Sequence, residues 1–243
     1  MKIFAKVSYL GTNYHGWQVQ PNALSIQEVI EKALSQILNT PTKIYGSGRT
    51  DAGVHAINQT FHFEVNKDVD LERLKYSLNS LLPEDISINS LEGVDEDFHA
   101  RFSAKKKHYQ YRINSVKKNP FIHQTTLYYP YPFNMTKFVE ALDLFVGKHN
   151  YQNFTSKEED EDNYVREIFD IRVFLEEEYT SVDLVGDGFM RYMIRDIIGT
   201  CLAVASGKED LTYIHDRLDS EISSHTAYRA SPEGLFLIDV IYK

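Results

Sequence analysis

The apolar residues of this chain switch their period back and forth between two and 3.6, and the series of switches runs twice. Period two marks a half-buried strand and period 3.6 a helix with one apolar face, so the pattern restricts the chain to mixed α and β architectures. From Lys2 to Leu10, Ile3, Ala5 and Val7 alternate against Lys2, Phe4 and Lys6, which predicts a strand. Ser25-Ile26-Gln27-Glu28 is a capping box: Ser25 can accept from the Glu28 amide while Glu28 reaches back to that of Ser25. Behind it Ile26, Val29, Ile30, Ala33, Leu34, Ile37 and Leu38 keep helical spacing, and Pro41 closes the segment. Strands are predicted around Lys43–Tyr45, Asn58–Val65 and Ile86–Leu91. Between the last two, Asp70 opens a helix carrying Leu71, Leu74, Leu78, Leu81 and Leu82, stopped by Pro83.

The second half restarts the pattern. Lys107–Asn114 alternates as a strand; Phe138, Val139, Leu142, Phe145 and Val146 form a helical stripe ending at Gly147. Strands near Ile168–Phe174 and Thr180–Val185 precede the strongest helix, in which Met190, Met193, Ile194, Ile197, Ile198, Cys201, Leu202 and Ala205 hold the rhythm. Phe236–Tyr242 is a nearly continuous apolar strand, as expected where both faces are covered. The order predicts an α+β fold of two similar units, residues 1–104 and 105–243.

Charge and cysteine content narrow the function classes. The single cysteine, Cys201, excludes a disulfide framework and a cysteine zinc cage. Lys6 stands where a signal peptide needs its apolar core, and no apolar run reaches the 18 or so residues of a membrane helix. A reduced, soluble, cytoplasmic protein is expected. With 26 basic against 35 acidic residues the net charge is −9, a mild argument against nucleic acid unless the positive charge is local. It is local. From His99 to Lys118 there are seven basic residues (Arg101, Lys105, Lys106, Lys107, Arg112, Lys117, Lys118) and no acid. An exposed strand edge guarded by lysines and a phosphate-binding stripe with Phe98, Phe102, Tyr109 and Tyr111 interleaved explain this equally well. Glu158-Glu159-Asp160-Glu161-Asp162 reads as a solvated loop.

The most unusual stretch is Gly46-Ser47-Gly48-Arg49-Thr50-Asp51-Ala52-Gly53-Val54-His55-Ala56. Its glycines allow tight turns and close approach to a ligand, and no Gly-Lys-Ser/Thr ends it, so it is not a P-loop. Arg49 beside Asp51 favours the ionised carboxylate a nucleophile needs. A plain Arg–Asp ion pair steadying a loop fits the same residues. Ser103-Ala104-Lys105-Lys106 meets the S-x-x-K acyl-enzyme pattern but lacks its partner motifs.

The Gly46–Ala56 string resembles the signature of the tRNA pseudouridine synthase A family. Four more blocks follow the family order: Gly11-Thr12-Asn13-Tyr14-His15-Gly16-Trp17-Gln18-Val19-Gln20-Pro21, Phe98-His99-Ala100-Arg101-Phe102-Ser103-Ala104, Gly188-Phe189-Met190-Arg191-Tyr192-Met193-Ile194-Arg195 and Ser231-Pro232-Glu233-Gly234-Leu235. Leu10 and Asn150 stand where aspartates are common in the family. The resemblance implies the pseudouridine synthase fold, two similar α/β units with mixed, largely antiparallel sheets joined across a central catalytic cleft. It implies conversion of uridine to pseudouridine at positions 38 to 40 of the tRNA anticodon stem-loop, with no cofactor or metal. Asp51 would be the catalytic carboxylate, adding to sugar or base or assisting elimination. Tyr109 would pack on the target base and take the C5 proton, Arg49 would hold the opened site, and Arg195 would pair with Asp51. The implied partners are tRNA and a second copy of the chain, in a homodimer bridged by one tRNA. Two rivals remain from the residues alone: a non-catalytic RNA-binding protein, which has no use for the Asp51 carboxylate, and a nucleoside hydrolase, which needs a second acid.

Overall fold

The computed structural model describes residues 1–66, 68–156 and 163–243. The chain divides into two compact units, Met1–Lys105 with Phe236–Lys243, and Lys106–Leu235. The boundary near Ala104 thus falls one residue later, and the terminal strand belongs with the first unit. Its pairing partner decides this: Phe236 and Leu237 run parallel to His55 and Ala56.

The first unit holds β1 (Lys2–Tyr9), α1 (Ile26–Leu38), β2 (Tyr45–Gly46), β3 (His55–Glu64), α2 (Leu71–Leu81) and β4 (Ile86–Val94). The final strand, β10 (Leu235–Ile241), completes its sheet in the order β4-β1-β3-β10, with β1 antiparallel to both neighbours. The Ser25 hydroxyl caps α1 by accepting from the Glu28 amide at 3.3 Å, but the return half of the box is absent because Glu28 pairs with Lys32. Asn39, in the left-handed region at φ 54°, ends α1 before Pro41 can. Asp70 caps α2 through the Arg73 amide at 3.0 Å. The α2 stripe is narrower than its leucines predict, since Leu74 and Leu78 are buried while Leu81 is exposed.

One expected face is wrong. Phe4 and Lys2 are as buried as Ile3 and Ala5, because the segment around residues 96–98 covers the second face of β1. Phe4 packs edge-on against Phe98 and Tyr242, and the Lys2 ammonium donates to the carbonyls of Glu96 and Phe98. Lys6 keeps to the rim in an ion pair with Asp239 at 3.2 Å.

The second unit holds β5 (Lys106–Asn114), β6 (Leu127–Tyr128), α3 (Met135–Asp143), β7 (Gly147–Asn150), β8 (Val165–Leu175), β9 (Thr180–Gly186), α4 (Met193–Ala205) and α5 (Leu211–His215). Strands β5, β9, β8 and β7 form an antiparallel run, with β6 parallel to β5. All of α4 except Arg195 and Gly199 is buried, as befits a helix apolar on every side. It starts later than its Met190 phase predicts, because Tyr192 takes φ 64° and breaks the helical turn. At Gly199 the backbone of Tyr228–Ala230 lies on the helix, within 2.9 Å of where a Cβ would stand. The acidic run Glu158–Asp162 lies outside the described residues. Among the described residues no helix is long and apolar enough to cross a membrane.

Candidate active site

The Gly46–Ala56 loop leaves β2 and enters β3, and the opening block Gly11–Pro21 holds it from the other side. Trp17 donates its amide to the Thr50 carbonyl at 3.1 Å, and Gly53 donates to the Tyr14 carbonyl at 3.3 Å. The Gly11 amide meets His55 Nδ1 at 2.9 Å. At Gly11 a Cβ would lie 2.0 Å from the Val54 oxygen, and at Gly16, with φ +85°, 2.5 Å from the Thr50 oxygen. At Gly46 it would strike the Trp17 indole at 2.5 Å. These three glycines exist for contact between the two blocks. Only a residue without a side chain lets backbone meet backbone or ring at such range.

Within the loop, Val54 donates to the Asp51 carbonyl at 3.1 Å and Gly53 takes φ +78°, a turn that fixes the Asp51 backbone. Below it the Tyr9 and Thr50 hydroxyls share a hydrogen bond of 2.8 Å. Burial pushes the Tyr9 hydroxyl above the usual phenol range, so it stays a neutral strut. On the β2 side Ser47 donates to Gln59 at 2.7 Å, and Gln59 donates to the Gly48 carbonyl at 3.0 Å. Asp51 is half-buried and Arg49 exposed, both borne on this braced loop. His55 is the buried, hydrogen-bonding residue its sequence context suggests, whereas Tyr9 and Gln59 carry no sign of a bracing role in the sequence, and Tyr14 and Thr50 only their places in the two blocks. The signal for the bracing was the opening block, which carries glycines at the points of contact.

Tyr109 and Arg195 lie in the second unit. Tyr109 sits on β5 opposite Leu184 of β9, largely buried, its ring edge-on to Phe189 at 5.2 Å. Arg195 occupies the first turn of α4. Its Nε donates to the Ala230 carbonyl at 2.8 Å, and its own carbonyl accepts from the Ala230 amide at 2.9 Å. The Tyr192 ring is faced by the guanidiniums of Arg229, Arg191 and Arg195 at 4.0, 4.8 and 5.2 Å. Arg229 is itself anchored by both oxygens of the buried Asp196, at 2.5 and 2.9 Å. Burial raises the Asp196 carboxyl against the lowering pull of Arg229.

The rings interleaved with the basic stretch divide. Phe98 packs into the Phe4–Tyr242 cluster, and Tyr111 is fully buried with its hydroxyl donating to the Ser231 carbonyl at 2.7 Å. These two are core. Phe102 alone of the four is open, at 76% exposure. Asn150 does local work where the aspartate is common: its side-chain Oδ1 accepts from the Gln152 amide at 3.0 Å, and its backbone N–H donates to Asp219 at 2.7 Å. Among the described residues no group of three or more His, Cys, Asp or Glu could hold a metal ion.

Comparison with known proteins places these blocks in context. A family model described as tRNA pseudouridine synthase matches residues 5–103 and 141–243, which include Arg49, Asp51 and Arg195 and leave Tyr109 between the two spans. The tRNA pseudouridine synthase A of Thermoanaerobacter sp. (strain X514) is 35% identical over 237 residues, 97% of either chain. That of Caldicellulosiruptor saccharolyticus is 36% identical over 241 residues, 99% of either chain. That of Streptococcus thermophilus (strain CNRZ 1066) is 36% identical over 243 residues, 98% of either chain.

Proposed function

Because the chain belongs to the tRNA pseudouridine synthase family, and so is an isomerase acting on tRNA uridine, we propose that it acts at positions 38 to 40 of the anticodon stem-loop with Asp51 as nucleophile. The observation that carries the assignment of Asp51 is the bracing of its loop. Two blocks far apart in sequence meet through glycines and fix the backbone of the loop that bears this carboxylate.

The reaction asks for this inventory. The N1–C1′ bond of uridine breaks, the base rotates, C5 bonds to C1′, the C5 proton leaves and N1 takes one up. No atom is gained or lost, so no redox partner or water is consumed. A carboxylate held at a fixed point can attack as the glycosidic bond breaks, and its preorganised position removes the entropy of bringing nucleophile to substrate. A stem base is unreachable until extruded, at a cost of a few kcal/mol. In this proposal the exposed Arg49 follows the displaced strand and holds the opened site. Tyr109 offers its ring to the target base and its hydroxyl to the C5 proton, and Arg195 binds substrate. The protein works in the cytoplasm as a homodimer.

The test is tritium release from C5-labelled tRNA transcripts, with the product mapped by position. Asp51→Asn should abolish release while tRNA affinity stays near that of the unaltered protein. Substantial pseudouridine formation by this variant would remove Asp51 from the mechanism, and a product outside positions 38 to 40 would relocate the site.

A further inference from the structure

The F-H-A-R-F-S-A block carries a second phenyl ring, Phe102, whose exposure the candidate active site does not explain. Phe102 is 76% exposed, yet it is not on a loose loop. The Ala100 carbonyl accepts from the Tyr242 hydroxyl at 2.8 Å and the Ala100 amide donates to His62 Nδ1 at 3.2 Å. His99 and Ser103 exchange two bonds: the His99 amide donates to Ser103 Oγ at 3.1 Å, and the Ser103 amide to the His99 carbonyl at 2.9 Å. The Arg101 amide donates to His99 Nδ1 at 3.1 Å. A backbone pinned this well holds the Phe102 ring out at one place on the surface.

The ring is also the end of a row. Tyr45, 52% exposed, stacks on His62 at 5.1 Å and 21°. His62 meets His99 edge-on at 4.7 Å and 66°, and His99 meets Phe102 at 4.4 Å and a tilt of 37°. Both imidazoles accept an amide at Nδ1. Burial, with His99 and Lys2 nearby, pushes the His62 pKa down to about 4. Four aromatic rings therefore form a continuous row, open at Tyr45 and at Phe102. Cations flank the open end: the Arg101 guanidinium lies 5.9 Å from the Phe102 centroid, and Lys105 is exposed three residues on. Single exposed apolar residues are common and need no explanation; a rigid row with open ends beside cations is a different object.

We propose that the Tyr45–His62–His99–Phe102 row is a stacking platform for an unpaired base of the tRNA, other than the target uridine, with Arg101 and Lys105 meeting the phosphates beside it. The proposal rests on tRNA being the substrate. Extruding one nucleotide leaves its neighbours without a stacking partner, and any base offers a π-face that such a row accepts without reading sequence. The cations match a phosphodiester backbone, whereas a second protein surface would ask for no positive charge around an apolar ring.

Phe102→Ala, Phe102→Tyr and Phe102→Trp separate the possibilities, with tRNA transcript as the probe. Losing one base stack should raise Kd, and KM with it, by about 5- to 150-fold in the alanine variant, and tyrosine should restore binding. Trp17 is 3% exposed, so the emission change of Phe102→Trp on adding transcript reports on the new ring, which should be quenched. Thermal melting should not move, because the side chain packs mainly against solvent. Unaltered affinity in Phe102→Ala, or a loss that neither aromatic substitution restores, overturns the platform. So does a change in sedimentation coefficient with tRNA affinity intact, which would make the ring a protein contact. Tritium release by the unaltered protein is the separate control: its absence would refute the proposed activity while leaving the binding comparison standing.

Discussion

Gly16→Ala tests whether the opening block sets the position of Asp51. At φ +85° an alanine is strained by about 1–2 kcal/mol whatever its surroundings. Its Cβ would also lie 2.5 Å from the Thr50 oxygen, 3.1 Å from the Asp51 carbonyl carbon and 3.2 Å from the Ala52 nitrogen. Ordinary contact begins at 3.4 Å, so Thr50 must retreat by about 0.9 Å (3.4 − 2.5), taking Asp51 with it. A misplacement of about 1 Å costs a positioned catalytic group roughly 100-fold, or about 2.7 kcal/mol. Single-turnover tritium release from C5-labelled transcripts should therefore slow by about two orders of magnitude. The strain alone should lower Tm by some 2–8 °C at this chain length. Binding of tRNA should hold, since the flanking contacts remain. Gly93→Ala is the control: a Cβ there meets only the flexible Met1 Cε at 3.3 Å, and both melting and turnover should stay close to the unaltered protein. If folded Gly16→Ala turns over at the normal rate, the block does not position the loop.

Tyr109→Phe keeps the ring and deletes the oxygen, so if the hydroxyl takes the C5 proton, turnover should fall about 10²- to 10⁴-fold with tRNA still bound, and a normal rate would assign Tyr109 to stacking alone. Arg229→Met leaves the buried Asp196 carboxylate without its bidentate partner and should cost roughly 2–3 kcal/mol in denaturant melts, at the low side for a buried pair because the guanidinium is 41% exposed; adding Asp196→Asn should recover most of it. His62 gives a pH signature. Its folded pKa of about 4 lies below the ordinary 6.5, so the unfolded chain takes up a proton first as pH falls, and stability is lost between about pH 6.5 and 4 and is flat above. Between pH 7 and 5 the unaltered protein should lose about 2 kcal/mol more than His62→Gln, which can accept the Ala100 amide without titrating; parallel losses would show that His62 contributes nothing.

What could be read from the sequence was whatever is settled by neighbours along the chain. Ser25 and Asp70 announce helix starts because a side-chain oxygen satisfies an amide three residues on. The face of β1 could not be read that way, since Lys2 and Phe4 are buried by residues 96–98 and Tyr242, far off in sequence. Nor could the start of α4, because the positive φ of Tyr192 has no mark in a residue that is neither glycine nor asparagine. Phe236–Tyr242 was legible as a strand but not as a strand of the first unit, a fact that only its pairing with His55 and Ala56 decides.

The site divides along the same line. The glycines of the Asp51 loop advertise a tight turn, and that much is local chemistry. Gly11 and Gly16 advertise one too, but their reason lies across the fold, in the oxygens of Val54 and Thr50. The two blocks are separate strings in the sequence and one object in space. With Asp51 as the proposed nucleophile, the G-S-G-R-T-D-A-G string is expected to be insufficient alone: a chain that kept it and lost the glycine at position 16 should keep the carboxylate and shift the backbone that bears it, which is what Gly16→Ala measures.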